Sequence, residues 1–577
     1  MTSELSKEQQ DIVALPLKPL AVTACAGSGK TRTAVHRLLS MRQRSDGPGL
    51  IALLSFSNVA VDTFRREYAQ LLRSLPTIGL SSRVQIDTMD GFITANILRP
   101  HGNKVMRCPR APFLIDGREG FLNNFTVYDG DRILPTANIE VACEGPNFRY
   151  SIGRANTALP SKWAQPALAR LGAVGAYSHS GGRYWALRVL REKPFLLRAM
   201  ARRYPHILVD EAQDIGPEHQ AILELLIGAG SQLSLIGDSN QAIYEFARAN
   251  GAFIKDYSMR TGVAAHQLTV NFRSLPGIVA VANKLTGRFD TPNRLAQSAR
   301  PGCYYMPFKP TERDKALGSF RSLLGHANIE LSKAVVLCRS SEWVAEWSGE
   351  QGSQGAGVVR CFADAALSRD QRKDYYRAFN EACLGLAGLF SGQDGALLSR
   401  LDRPTDEKMG KLRRLIWSFV RDPDTGLPSA TLVADAAWHQ LLRLRTEALA
   451  DRLTTEFGLD VANNLGQRLS KRKLESRPLF EIPDLAACQE VPLRTSTVHK
   501  VKGESLDAVL YLAKKSHVSA LLGGPATEEG RIGYVALTRA RDIFVLGVPE
   551  TCLAELEPKL LAFGLHRFDL ADASDGS

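Results

Sequence analysis

The stretch PLAVTACAGSGKT, residues 19–31, runs from an apolar segment through a glycine-rich turn into helical spacing at Val35, Leu38 and Leu39. Within it, ACAGSGKT departs from the phosphate-loop pattern GxxxxGK[ST] only in having Ala24 for the first glycine. Glycines there let backbone amides approach phosphate oxygens, and the N-terminus of the following helix favours an anion. Ala26, Gly27, Ser28 and Gly29 are therefore expected to line the phosphates of a nucleotide. Lys30 is expected to reach the β and γ phosphates, and Thr31 to ligate Mg²⁺.

A second stretch, HILVDEAQD (206–214), sets three carboxylates at the mouth of an apolar run. An unpaired carboxylate in such a place is costly. A phosphate loop lacks an outer metal ligand and a base for water, and these acids supply both. Asp210 is read as the metal ligand, Glu211 as the base, and Asp214 as a cap for the next helix.

IALLSFS (51–57) and QLSLIGD (232–238) are further short apolar runs, and each alternates with helical patterning. This predicts a parallel sheet with helices on both faces, with ligands at the carboxyl ends of the strands. KAVVLCRS (333–340), VPLRTSTVHK (491–500), DAVLYLA (507–513) and DIFVLGV (542–548) predict a second such sheet. Two stretches interrupt these sets. Residues 93–203 read as turn-rich strands followed by a basic helix, YWALRVLREKPFLLRAMARR, and residues 363–485 read as mostly helical.

The net charge is +12, and it is concentrated. Residues 93–203 hold 17 Lys/Arg against 7 Asp/Glu, which predicts a polyanion-binding face. No apolar run approaches the roughly 20 residues needed to span a bilayer, so no membrane partner is expected. The N-terminus lacks the layout of a secretion signal. Nine cysteines without a CxxC pair suggest neither a zinc ribbon nor a disulfide framework, so a reducing, cytoplasmic location is expected.

In order along the chain, these and other segments resemble the motifs of the UvrD/Rep-type helicases of superfamily one. LSKEQ (5–9) is similar to the adenine-reading motif, with Gln9 as the reader, and AGSGKTR to motif I, with Arg32 flanking the nucleotide. SFSN (55–58) resembles motif Ia, DEAQD motif II, and LIGDSNQAIYEF (235–246) motif III, which makes Gln241 a γ-phosphate sensor. LTVNFRS (268–274) resembles motif IV, implying that Phe272 stacks on adenine and Arg273 contacts the γ-phosphate. TVHKVKGES (497–505) resembles motif V, with Glu504 at the ribose, and GYVALTRAR (533–541) motif VI, with Arg539. Inserted arginines spread positive charge over a phosphoryl-transfer transition state, which gives both a physical role.

The resemblance implies two RecA-like P-loop NTPase cores with parallel sheets, each carrying an inserted subdomain. The first core is expected over 1–92 and 204–275, with the basic insertion at 93–203. The second is expected over 276–362 and 486–577, with the helical insertion at 363–485. It also implies ATP-driven 3′ to 5′ movement on single-stranded DNA, or on DNA with single-stranded ends. Phe56, Tyr244 and Phe246 are expected to stack on bases. Asn58, Thr88, Thr497 and His499 are expected to contact the backbone.

Some positions depart from the family pattern. Val59 replaces a basic residue and Asp90 the usual histidine of motif Ib. Phe246-Ala247-Arg248-Ala249 displaces an arginine, and KGESL replaces KGLEF. The compact insertion and KGES resemble the helicase subunits of Gabija-type bacterial defence systems, which act with a separate nuclease. With about 36 residues after motif VI, no fused nuclease is expected. The rival reading is an ATP-gated sensor of DNA ends that regulates such a nuclease.

Overall fold

Short runs of Ala, Val, Leu and Ile form the strands, because such side chains can be buried on both faces of a sheet. The computed structural model describes residues 5–73, 83–115, 120–129, 132–153, 156–245, 248–295, 302–348, 354–390, 407–462, 464–480 and 493–568. In the first core six parallel strands are β1 (Leu20–Ala24), β2 (Ile51–Ser55), β3 (Val84–Thr88), β4 (His206–Val209), β5 (Gln232–Gly237) and β6 (Ala264–Leu268). Their spatial order is β6-β1-β5-β4-β2-β3. Alternate residues enter different cores: Leu20, Val22, Leu53 and Leu208 pack on one face, and Ala21, Ala52, Leu54 and Val209 on the other.

The second core repeats this plan. Its strands are β7 (Cys303–Phe308), β8 (Ala334–Cys338), β9 (Arg494–Thr497), β10 (Leu506–Leu512), β11 (Ala540–Pro549) and β12 (His566–Arg567). They lie parallel in the order β9-β8-β10-β11-β7-β12. Tandem RecA-like α/β cores with inserted subdomains are therefore the architecture. The sequence reading did not name β3, β6, β7 or β12; three of these lie at sheet edges, where polar residues dilute the apolar signal.

The chain leaves the first core through a continuous helical run, Met89 to Met106. It then forms a hairpin (Thr126–Asp129 with Arg132–Pro135) and a three-stranded sheet (Ile139–Glu144, Asn147–Ile152, Thr157–Leu159). The expected single basic helix is two, His179–Glu192 and Pro194–Arg203. Pro194 has no N–H to donate and keeps Lys193 out of the helical region (φ −127°, ψ 73°), which stops the first helix. A further helix, Ser161–Ala173, was not anticipated. The second insertion is helical, with Val358–Asp370, Tyr375–Ala387, Glu407–Arg421 and His439–Phe457 packed around their own apolar cluster.

Candidate nucleotide site and nucleic-acid track

At the carboxyl end of β1 the chain turns through Gly27 (φ +71°) and Gly29 (φ +77°) into the helix Lys30–Arg44. Both glycines are required twice over, by the left-handed backbone and by crowding. A Cβ on Gly27 would lie 2.6 Å from the Arg273 Cβ, and one on Gly29 would lie 2.7 Å from Gln9 Nε2. The loop is clasped from outside as well. Phe272 N donates to Gly27 O at 2.9 Å, Cys25 N to Leu268 O at 2.8 Å, and Gln9 Nε2 to Ser28 O at 2.9 Å.

Gln9 also closes a capping box with Ser6, so its amide ties the helix Lys7–Ala14 to the phosphate loop. Glu8 beside it accepts from Thr269 N at 2.8 Å and from Thr269 Oγ1. Phe272 keeps its ring exposed while its backbone is fixed to the loop. Arg32 and Thr31 lie half-buried in the first turns of the helix that begins at Lys30.

Asp210 and Glu211 follow β4 at the sheet's carboxyl end, as the sequence placed them. Asp210 is 1% exposed, and its Oδ1 is buried without a hydrogen-bond partner. Burial and the adjacent Glu211 push its carboxyl up. Glu211 adopts a left-handed backbone (φ 53°) that a β-carbon disfavours, and its carboxylate accepts from Gln213 Nε2. Burial would raise it, but Lys30, Lys502, Gln213 and Arg539 together hold it below the ordinary carboxylate value. One carboxyl of the pair is thus driven toward the proton and the other away from it.

Asp214 is not the helix cap. The helix Pro217–Gly228 is preceded by Gly216 with no side-chain cap, and Asp214 instead pairs with Lys502 of the second core at 2.6 and 2.7 Å. Their side chains are 4% and 7% exposed. Burial raises the Asp214 carboxyl to about 6 even with the ammonium beside it. Lys502 also lies 4.5 Å from the Tyr244 ring centroid.

The two expected arginines lie in the same region. Arg539, the last residue of the helix Glu528–Arg539, is buried and donates from Nη2 to Gln241 Oε1 at 2.7 Å. The Gln241 amide in turn donates to Asp238 Oδ2 at 2.7 Å. Arg273 donates to Thr538 O at 3.0 Å, and burial together with Arg539 lowers its guanidinium to about 9. Glu504 adjoins this region through its carbonyl, which accepts from Arg539 Nη1 at 3.4 Å, while Arg494 grips its carboxylate with two bonds, at 2.7 and 2.8 Å.

The segment Gln241–Glu245 is the joint between the cores. Besides Arg539 on Gln241, Arg531 donates to Ala242 O (2.6 Å) and Glu245 Oε2 (2.7 Å), and His499 Nε2 donates to Ile243 O (3.1 Å). Tyr244 and His499 have ring centroids 6.0 Å apart. Thr497 ends β9, and its hydroxyl accepts from Lys500 N at 3.4 Å. Phe246 lies outside the described residues.

On the first-core side, Asn58 is exposed at the start of its helix, and Thr88 caps the turn Met89–Ile93 by accepting from Gly91 N at 3.0 Å. Phe56 is half-buried and meets His219 edge-on at 5.6 Å. His219 donates to Asp90 at 2.8 Å, and Arg183 of the basic insertion grips the same carboxylate at 2.7 and 3.0 Å. Burial alone would raise the Asp90 carboxyl; these partners hold it far below its ordinary value. The sequence marked Asp90 as a departure but gave no partner for it.

Two parallel-sheet cores, the first ending in a glycine turn against a helix N-terminus and a carboxylate pair, define the P-loop NTPase class. Comparison with known proteins narrows this. Residues 5–152 and 182–260 match the UvrD/REP helicase N-terminal domain. Along its length it is similar to the ATP-dependent DNA helicase UvrD2 of Mycobacterium tuberculosis, 25% identical over 93% of this chain and 77% of the relative. It is also similar to UvrD1 of the same organism (26% identical, 49% of this chain and 39% of the relative) and to PcrA of Leuconostoc citreum (24%, 49% and 39%). Among the described residues no helix is long and apolar enough to cross a membrane.

Proposed function

We propose that the protein is an ATP-dependent DNA helicase or translocase that moves 3′ to 5′ on single-stranded DNA. The observation that carries this reading is the charge cluster built from both cores, in which Lys30 of the first and Lys502 and Arg539 of the second all act on the Glu211 carboxylate. The UvrD/REP domain match and the named DNA helicases among its relatives supply the substrate class.

The orphaned, buried Asp210 Oδ1 fits a divalent cation, which with Thr31 and the phosphates would complete an oxygen ligand set. Such a cation would neutralise charge on the phosphates. Glu211, held ionised by its cationic neighbours, is suited to accept a proton from the attacking water. Arg273 and Arg539 would stabilise charge on the transferring phosphoryl group, and Gln241 would report its presence through the bond to Arg539. Because Gln241–Glu245 is gripped residue by residue by the second core, a change at Gln241 would be passed to Tyr244 and His499, the expected strand contacts. The cytoplasm is the proposed compartment.

The test is ATP turnover by the purified chain with and without single-stranded DNA, alongside separation of a duplex with a 3′ single-stranded tail. Turnover raised by DNA together with strand separation supports a helicase. Turnover raised at duplex ends without separation would favour a sensor that acts with a nuclease, and turnover indifferent to DNA would defeat both.

A further inference from the structure

The basic insertion holds one surface that the cleft does not use. Between Glu144 and Glu192 the chain has no acidic residue but seven basic ones. The family match skips residues 153–181, which include the helix Ser161–Ala173. That helix buries Ala164, Ala167, Leu168 and Leu171, so Trp163 and Arg170, seven residues apart, share its solvent side. The strand Thr126–Asp129 packs beside it, with Arg170 donating to Thr126 O at 2.7 Å. Val127 points into the same apolar cluster as the helix, which leaves its neighbour Tyr128 and the paired Ile133 facing out. Tyr128, Ile133 and Trp163 are 63%, 60% and 54% exposed, and Lys162 hangs 5.5 Å from the Trp163 ring centroid.

We propose that this outward face is a second binding site for single-stranded DNA, apart from the track between the cores. Exposed rings beside Lys162 and Arg170, which no ion pair engages among the described residues, suit a strand with unpaired bases, whose faces can stack while its phosphates meet those two cations. A duplex offers phosphates but hides its base faces, and would leave the rings unused. In a separating enzyme the occupant would be the strand not held in the cleft. To that extent the inference rests on the proposed function, but its test reads binding and not turnover.

The experiment measures affinity for two fluorescein-labelled probes: a short single strand that fills one site, and a fork with two unpaired arms. Trp163→Ala and Tyr128→Ala are expected to leave the short strand bound as in wild type and to weaken the fork about five- to tenfold each. Trp163→Tyr, which keeps a ring, restores fork binding. Lys162→Ala lowers the slope of log K against log salt on the fork by about 0.7. Unchanged fork affinity in the ring variants would overturn the site and leave the face to an acidic protein. Equal loss on both probes would merge it with the cleft track and overturn it as well. If wild type binds neither probe, the DNA reading fails before this one is reached.

Discussion

Replacing Lys502 by Met keeps the side chain's length and removes its charge, leaving the Asp214 carboxylate buried without a partner. The pair is made at 2.6 and 2.7 Å with both side chains under a tenth exposed, so solvent screens little of it. Breaking a buried pair from one side costs about 3–5 kcal/mol. For a cooperative unit of about 150–250 residues this is a fall in Tm of roughly 6–20 °C. The loss depends on pH with a definite sign. Asp214 already sits at about 6, above its ordinary 3.8, because burial outweighs Lys502, and without the ammonium it rises further. A carboxyl raised in the folded state favours the fold while protonated, and that contribution disappears as pH rises through the folded value. Lys502→Met is therefore expected to melt near wild type at about pH 5 and well below it at about pH 8. Thermal denaturation of both proteins across that range measures the difference. The double variant Asp214→Asn/Lys502→Met, with no stranded charge, is expected to regain most of the loss. A Lys502→Met protein with wild-type Tm at the alkaline end, or one displaced equally at all pH values, would refute the buried-pair account.

Glu211→Gln is expected to keep nucleotide binding and lose about 10²–10⁴ in turnover, measured by phosphate release beside labelled-ATP binding. Arg539→Ala removes a transition-state cation and the donor to Gln241, and is expected to reduce turnover by about 10³-fold or more in the same assay. Gly27→Ala meets the Arg273 Cβ at 2.6 Å and a disfavoured backbone, so ATP binding should fall sharply in calorimetry; normal affinity would contradict the clasped loop. Asp90→Asn weakens charge-assisted bonds to Arg183 and His219, each worth about 1.5–3 kcal/mol, and is expected to raise protease sensitivity in the insertion while basal ATP turnover persists.

What the sequence determined by itself is what short stretches of chain encode. Apolar runs gave every inner strand but β7, and the glycines before Lys30 gave the tight turn from β1 into its helix, since a few neighbouring residues fix that backbone. The acidic pair after β4 was legible for the same reason. The edge strands β3, β6 and β12 lack a continuous apolar run and so give a weak signal, and a proline marks the helix break at Pro194. Tertiary structure alone decided who partners whom. Lys502 lies 288 residues from Asp214, Arg539 lies 298 from Gln241, and Asp90 lies 93 and 129 from Arg183 and His219. Asp214 read as a cap because capping is local, whereas its actual partner arrives only when the second sheet packs against the first. A buried charge records in the sequence that it needs a counter-charge, but not which of 72 basic residues will supply it.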